Sequence, residues 1–428
     1  MAHSNNAELP YRRLDGVPRP VLLMGLGAAV VGLIALAAGL MRGDGRAWQA
    51  YLFNWLFWFG VAQGAVVFSA VTVITRSQWA RPVRRLALSF VAFLPIGFVL
   101  FLPLLLAGEH IFPWTHEMYH DGLERWLNEG FVSIRNVLAL GVMVGLSLAY
   151  ARITLRPDVG MRPEDATTGV RGWVVSGWRG QEEEERRAHR KLARLGPILG
   201  MVYAASMSIV AWDYVMSLEA GWFSTLLGPY YFMAAFLGGI AATTVLAVIY
   251  RSKLGLEDVI RTPHFHDLGK LTFAFCVFWA YLFWSQYIVI WYGQLPWEQT
   301  FLVHRLTAPY TALSVAVLGL LFLAPFFALL SVAAKKKPSF LATVASLILF
   351  GLWLERYTLV YPSLYPGADG VPFGWVEIGV TLLFAGLFVL SLAAFAAKFP
   401  IFQVWEPMVD PHEFDDPYFP PRERAVEA

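Results

Sequence analysis

The side chains of this sequence best placed to do chemistry are ionisable groups set inside long apolar runs: Arg135, Asp213, Glu355, Arg356 and Glu377. A charge within a lipid-embedded helix is costly, and it persists where it faces a bundle interior, a cavity or another charge. All five project to one third of the bilayer, taken below as the outer third, with polar Asn136, Ser285 and Gln286 at similar depth. On the opposite side His264, His266, Asp267 and Lys270 gather where the seventh run begins. Burial and a nearby guanidinium act on a carboxylate in opposite directions, which suits a proton carrier. Asp213 and Glu355 lie deepest and are the leading candidates. Arg135, Glu377 and the His264 group fit as well as interfacial residues or helix-to-helix pairs. Glu355 and Arg356 are sequence neighbours, about 100° apart on a helix, so each is expected to need a partner on another helix.

Two further motifs need weighing. Ser285 and Gln286 sit in WSQYIVIWYG, where an aromatic belt accounts for Trp291 and Tyr292, while deep polar groups usually bond across to a neighbouring helix. The run from His116 to His120 matches HExxH, a zinc-peptidase pattern. It falls in a charged outer loop without a convincing third ligand, so a short amphipathic helix over 114–127 is the better reading. The single cysteine, Cys276, excludes a disulfide framework, CxxCH haem attachment and cysteine-ligated iron–sulfur clusters within this chain.

The elements that must position these residues follow from composition. Apolar residues make up 57% of the sequence and charged residues 15%, against about 25% charged in soluble domains. Ten runs are long enough to span a bilayer: 21–41, 51–75, 86–107, 131–150, 198–218, 230–250, 271–292, 312–333, 340–361 and 376–397. Backbone polar groups cannot be left unpaired in lipid, so these runs must be helices. The fold class expected is an all-α polytopic membrane protein. The polar N-terminus does not read as a cleavable signal peptide, and no soluble domain of ordinary size fits between the runs. Arg76, Arg81, Arg84, Arg85, the basic stretch 186–194, Arg251, Lys253, Arg261 and Lys335–Lys337 fall on one set of connections. Lys/Arg bias makes that set cytoplasmic, with both termini on the same side. Only the small turn at Arg42–Arg46 disagrees.

An internal repeat divides the chain. VTVITRSQW (71–79) ends the second run and aligns without gaps to LAVIYRSKL (246–254), which ends the sixth. Pro113-Trp114 and Pro296-Trp297 follow the third and seventh runs, and the fifth and ninth carry Asp213 and Glu355. Four helices per unit makes the units parallel. The expected organisation is an inner arm (1–20), a flanking helix and turn (21–50), a first four-helix bundle (51–218), a second (219–361), a last flanking helix (362–397) and an inner tail (398–428). The first bundle includes an outer loop (108–130) and an inner loop (151–197) expected to be solvated and to end in an amphipathic helix. The tail from Trp405 to Tyr418, rich in acids, prolines and aromatics, reads as an arm for another subunit.

HFHDLGKLTFAFCVFWAYLFWSQYIVIWYGQLPWEQT (264–300), LERYTLVYPSL (354–364) and AWDY (211–214) resemble the ActF membrane subunits of alternative complex III, within the NrfD/polysulfide-reductase-like family. The resemblance covers essentially all ten runs. It implies an integral subunit of a bacterial inner-membrane quinol:cytochrome c or high-potential iron–sulfur protein oxidoreductase, with no cofactor of its own. Haem c and iron–sulfur clusters would belong to partners: a paralogous ActC-like membrane subunit holding the quinol, an iron–sulfur/molybdopterin-like subunit, and cytochrome c subunits. The implied role is a scaffold and proton-conducting half-channel, carried over to Asp213, Glu355 and Arg356 outside and to His264, Asp267 and Lys270 inside. Ser285, Gln286, Arg135 and Glu377 are candidates for a quinone contact or for polar helix interfaces. GQLPWEQ stands here where relatives more often read like ANIPEET, so Glu298 replaces paired acids and puts proton release at that loop in doubt. A secondary transporter is the rival class, but its Gly/Pro-broken midplane helices are not expected from runs that look mostly unbroken. Nothing in the charge pattern points to nucleic acid.

Overall fold

The structure, a computed structural model, describes residues 11–116, 123–162, 169–219 and 221–405. Among the described residues, ten helices are long and apolar enough to cross a membrane: α1 (Arg19–Met41), α2 (Arg46–Ile74), α3 (Gln78–Leu106), α4 (Glu129–Gly160), α5 (Gln181–Leu218), α6 (Leu227–Lys253), α7 (Thr262–Gly293), α8 (Thr311–Leu329), α9 (Pro338–Leu364) and α10 (Trp375–Lys398). They coincide with the ten expected runs, and the chain is an all-α polytopic membrane protein. No strand occurs among the described residues. α1 turns Gly25, Gly32 and Gly39 inward and exposes Leu23, Met24 and Ile34, as a helix does when its surroundings are lipid.

The packing pattern occurs twice. α2 packs on α3 and α5, and α4 on α5; α6 packs on α7 and α9, and α8 on α9. α2 and α6, the first helices of the two expected repeat units, are the most buried of the spans and pack closely against each other. That close approach depends on missing side chains. A Cβ on Gly64 would lie 2.2 Å from the Ala235 carbonyl oxygen, and one on Gly239 would lie 2.2 Å from the Ala65 nitrogen. Small residues let membrane helices approach where no hydrophobic force draws them together. Gly64→Val and Gly239→Val are each expected to cost about 1–3 kcal/mol or more by overpacking. Thermal unfolding in detergent checks this, and an unchanged midpoint counts against the close approach. α1 and α10 pack together by the same device at Gly32 and Gly379.

Three expectations change. α3 is interrupted, not continuous. A 3-10 turn (Phe90–Phe93) and two short helical pieces (Leu94–Val99 and Leu102–Leu106) replace its middle and end. Pro95 and Pro103 remove helical donors there. Where the helix breaks, Phe101 and Leu104 N–H turn to Phe98 and Phe101, and the Gly97 and Leu100 carbonyls they leave take side-chain partners from α2: Trp55 Nε1 donates to Gly97 at 2.8 Å and the Tyr51 hydroxyl to Leu100 at 2.7 Å. α8 also holds a π-helical turn at Gly319–Leu323. The inner loop is largely helix as well, since α4 runs on to Gly160 and α5 already begins at Gln181. Glu182–Glu184 occupy the first turn of α5, where the helix dipole favours acids. Arg156 binds Glu184 at 2.6 Å and ties the two extensions together.

The N-terminal arm and the segment after α10 meet on one face. Ile401 N–H donates to the Arg12 carbonyl at 2.8 Å, and Leu14 N–H to Ala396 at 2.9 Å. At the opposite face the exceptional Arg42–Arg46 turn is partly neutralised, because Arg46 sits 2.9 Å from Asp44 and 3.9 Å from Glu377. The Arg46 hydrogen bond holds the Asp44 carboxyl below the usual carboxylate range. Of the expected 114–127 helix, only a 3-10 turn at Pro113–Thr115 and a single turn at Leu123–Trp126 are described. Glu117 and His120 of the HExxH match lie outside the described residues, as does the tail beyond Trp405.

Candidate functional site

Asp213 stands at the end of α5 and is fully buried. Arg135, one helix away on α4, grips both its carboxylate oxygens, with Nε on Oδ2 at 2.7 Å and Nη2 on Oδ1. Asn136 adds a third donor at 2.5 Å. Bidentate, charge-assisted bonding of this kind is strong and directional. Arg135 is held in turn by the Trp126 carbonyl at 2.8 Å, with its guanidinium 4.0 Å from the Trp126 ring centre. Arg135 is therefore a helix-to-helix ion-pair partner. A small cleft lined by Glu129, Ser133 and Tyr214 lies at the same end of α4 and α5.

Glu355 and Arg356 are also buried, and here an expectation fails. Arg356 Nη1 donates to Glu355 Oε2 at 2.6 Å, so the neighbours do pair with each other. The 100° separation applies to the Cβ directions, whereas both side chains are long enough to fold back across it. Each also gains a contact on another helix. Trp279 Nε1 of α7 lies 3.5 Å from Glu355 Oε1, while Arg356 Nη2 donates to the Tyr231 carbonyl of α6 at 3.2 Å.

The remaining candidates are local. Glu377 is fully buried but works as a cap, accepting from Gly374 N–H at 2.7 Å and the Tyr361 hydroxyl at 2.8 Å. His264 Nδ1 accepts from Arg261 N–H at 2.9 Å and caps α7. Lys270, exposed, pairs with Asp267 one turn away at 2.6 Å. Gln286 is buried on α7 and Ser285 half-buried. Glu298 lies in the first turn of a separate helix, Pro296–Leu306.

One ion pair escaped the sequence reading. Arg85 and Asp158, both assigned to inner connections, are fully buried and bonded to each other, Arg85 Nη2 on Asp158 Oδ2. They complete a polar face on α4. Asn136, Ser147, Tyr150, Thr154 and Asp158 are all buried, and their spacings of 11, 3, 4 and 4 residues keep them on one side of a helix. From Asn136 to Asp158 is about 33 Å at 1.5 Å per residue, comparable to the roughly 30 Å hydrocarbon core. Along this face Ser147 meets Gln63 of α2 at 3.0 Å and the Tyr150 hydroxyl meets Ser69 at 3.4 Å. The Thr154 carbonyl accepts from Arg85 at 3.0 Å. Leu140 and Met143, both fully buried, separate the Asn136–Asp213 end from the Ser147–Asp158 end.

Among the described residues no group of three or more His, Cys, Asp or Glu is arranged to hold a metal ion. No protein-family model and no curated protein matches the chain.

Proposed function

We propose that this chain is an integral membrane subunit of a respiratory quinol:electron-acceptor oxidoreductase of the alternative complex III type, where it serves as scaffold and proton-conducting half-channel. It would lie in the bacterial cytoplasmic membrane with both termini cytoplasmic. The redox centres would belong to its partners: an ActC-like membrane subunit, an iron–sulfur/molybdopterin-like subunit and cytochromes c. The observation that carries the proton role is the polar face of α4, with a buried acid at each end and an apolar break at Leu140 and Met143. Hydroxyl, amide and carboxylate groups in sequence relay protons through short hops, and the apolar break at Leu140 and Met143 makes passage between the two halves slow without closing it. Asp213 with Arg135, and Glu355 with Arg356, serve the outer side. Asp158 with Arg85 serves the inner side of the first bundle; His264, Asp267 and Lys270 mark the inner mouth of the second. Gln286 and Ser285 would offer a quinone its polar contacts.

The interruption of α3 and the π-turn of α8 favour a second reading, a secondary transporter with parallel repeats. Purification in mild detergent separates the two. The chain is expected to bring with it stoichiometric c-type haem and iron–sulfur signals that stay with other polypeptides on dissociation. Recovery without any redox partner, or a haem spectrum retained by the isolated chain, rejects the subunit reading.

A further inference from the structure

The segment after α10 is packed like core although no helix or strand holds it. Phe399, Ile401, Phe402, Gln403 and Trp405 are all buried. Val404 and Trp405 each donate a backbone N–H to Asp158 Oδ1 at 3.0 Å, and Trp405 Nε1 donates to the Thr154 carbonyl at 2.8 Å. The segment thus lies across the end of the α4 polar face. Among the described residues, Arg85 Nε and Nη1 and both amide atoms of Gln403 are buried and meet no hydrogen-bond partner. Buried polar atoms left in this state in native proteins are commonly served by internal water. The charged and titratable groups acting on Asp158 are Arg85 from α3, Glu185 from α5 and Tyr11 from the N-terminal arm.

We propose that the segment 399–405 is a lid over a water-holding proton-uptake site formed by Asp158 and Arg85, with Gln403 carried on the lid itself, an inference that rests on the proton-path reading above. Seated, the lid gives the charged carboxylate two N–H donors and excludes bulk water, so Asp158 is held as an anion beside Arg85. Lifted, it takes both donors away and admits water. A hydronium ion then transfers its proton to Oδ1, forming one O–H bond as one is broken, while Oδ2 keeps the Arg85 bond. Reseating the lid restores the donors to Oδ1; the Oδ1–H bond breaks as an internal water oxygen takes the proton, and that water passes a proton on to the Tyr150 and Ser69 hydroxyls, each oxygen releasing one proton as it gains one. Opening of the C-terminal segment thereby sets when the inner half-channel loads.

The test is proton influx into vesicles holding the full chain, driven by a valinomycin potassium potential. Trp405→Ala and Val404→Pro, the latter deleting one of the two N–H donors, are each expected to raise influx about tenfold. Adding Asp158→Asn is expected to cancel the rise. Wild-type rates in both lid variants, with Asp213→Asn still slowing influx, overturn the lid and leave the path standing. Influx no greater than that of protein-free vesicles in every variant overturns both. Hydrogen exchange on the unmodified chain guards against misfolded variants: a seated lid protects the Val404 and Trp405 amides by about a hundredfold or more, and exchange at the free-chain rate overturns the proposal.

Discussion

Arg85→Met is expected to destabilise the folded chain by about 3–5 kcal/mol, the usual cost of leaving one partner of a buried ion pair without its counter-charge. Neither Arg85 nor Asp158 has side-chain exposure to solvent. The two N–H donors from Val404 and Trp405 cannot replace a full positive charge. The pair joins α3 to α4 near the point where the C-terminal segment docks, so its loss loosens three elements at once. The double variant Arg85→Met/Asp158→Leu is expected to recover most of the loss, because two apolar side chains of similar volume remove the desolvation problem from both sides. A double-mutant cycle read by denaturant unfolding in detergent decides the matter. A single variant costing under about 1 kcal/mol, the range of exposed pairs, would mean the pair is open to water.

Asp213→Asn is expected to leave the chain folded and to slow proton influx into vesicles by about a hundredfold, the low end of what a single acid–base group contributes. Asparagine matches the shape of aspartate and keeps a carbonyl oxygen for Arg135 Nε and Asn136. It cannot carry a negative charge or release a proton at neutral pH. In the native site Arg135 bonds both carboxylate oxygens, so protonating either one weakens its charge-assisted contact with the guanidinium. The Trp126 carbonyl and the Trp126 and Phe131 rings, 4.0 and 4.8 Å from the guanidinium, offer it somewhere else to rest. On the proposed proton path the Asp213–Arg135 contact would act as a latch, and arginine rather than lysine suits that role because two parallel bonds would break in turn. Unchanged influx with Asp213→Asn would reduce the pair to a structural tie.

Sequence made the ten spans legible because hydrocarbon leaves the backbone few options. Asp213 and Glu355 stood out as acids among apolar residues, and both prove buried. Their partners were less visible. Pairing Asp213 with Arg135 requires knowing that α4 and α5 are neighbours with those residues level. The Glu355–Arg356 contact was dismissed by an argument about Cβ directions that ignored side-chain length. Arg85 and Asp158 were overlooked because Lys/Arg bias places such residues in water. The 11-3-4-4 spacing of polar residues on α4 was present in the sequence and could have revealed the face they complete. Gly60-x-x-x-Gly64 was likewise a readable signal for the close α2–α6 packing. The break in α3 could be anticipated from Pro95 and Pro103, but the capping by Tyr51 and Trp55 could not, since it depends on how α2 packs.

The most direct measurement is the number of protons translocated per electron during quinol oxidation by the purified assembly in sealed vesicles, compared between native protein and the Asp213→Asn variant. If the buried acids at the two ends of the α4 polar face, Asp213 of α5 and Asp158 of α4, carry protons while partner chains carry electrons, the variant oxidises quinol at close to the native rate and its proton-to-electron ratio falls. A native ratio in the variant, at unchanged oxidation rate, contradicts the account.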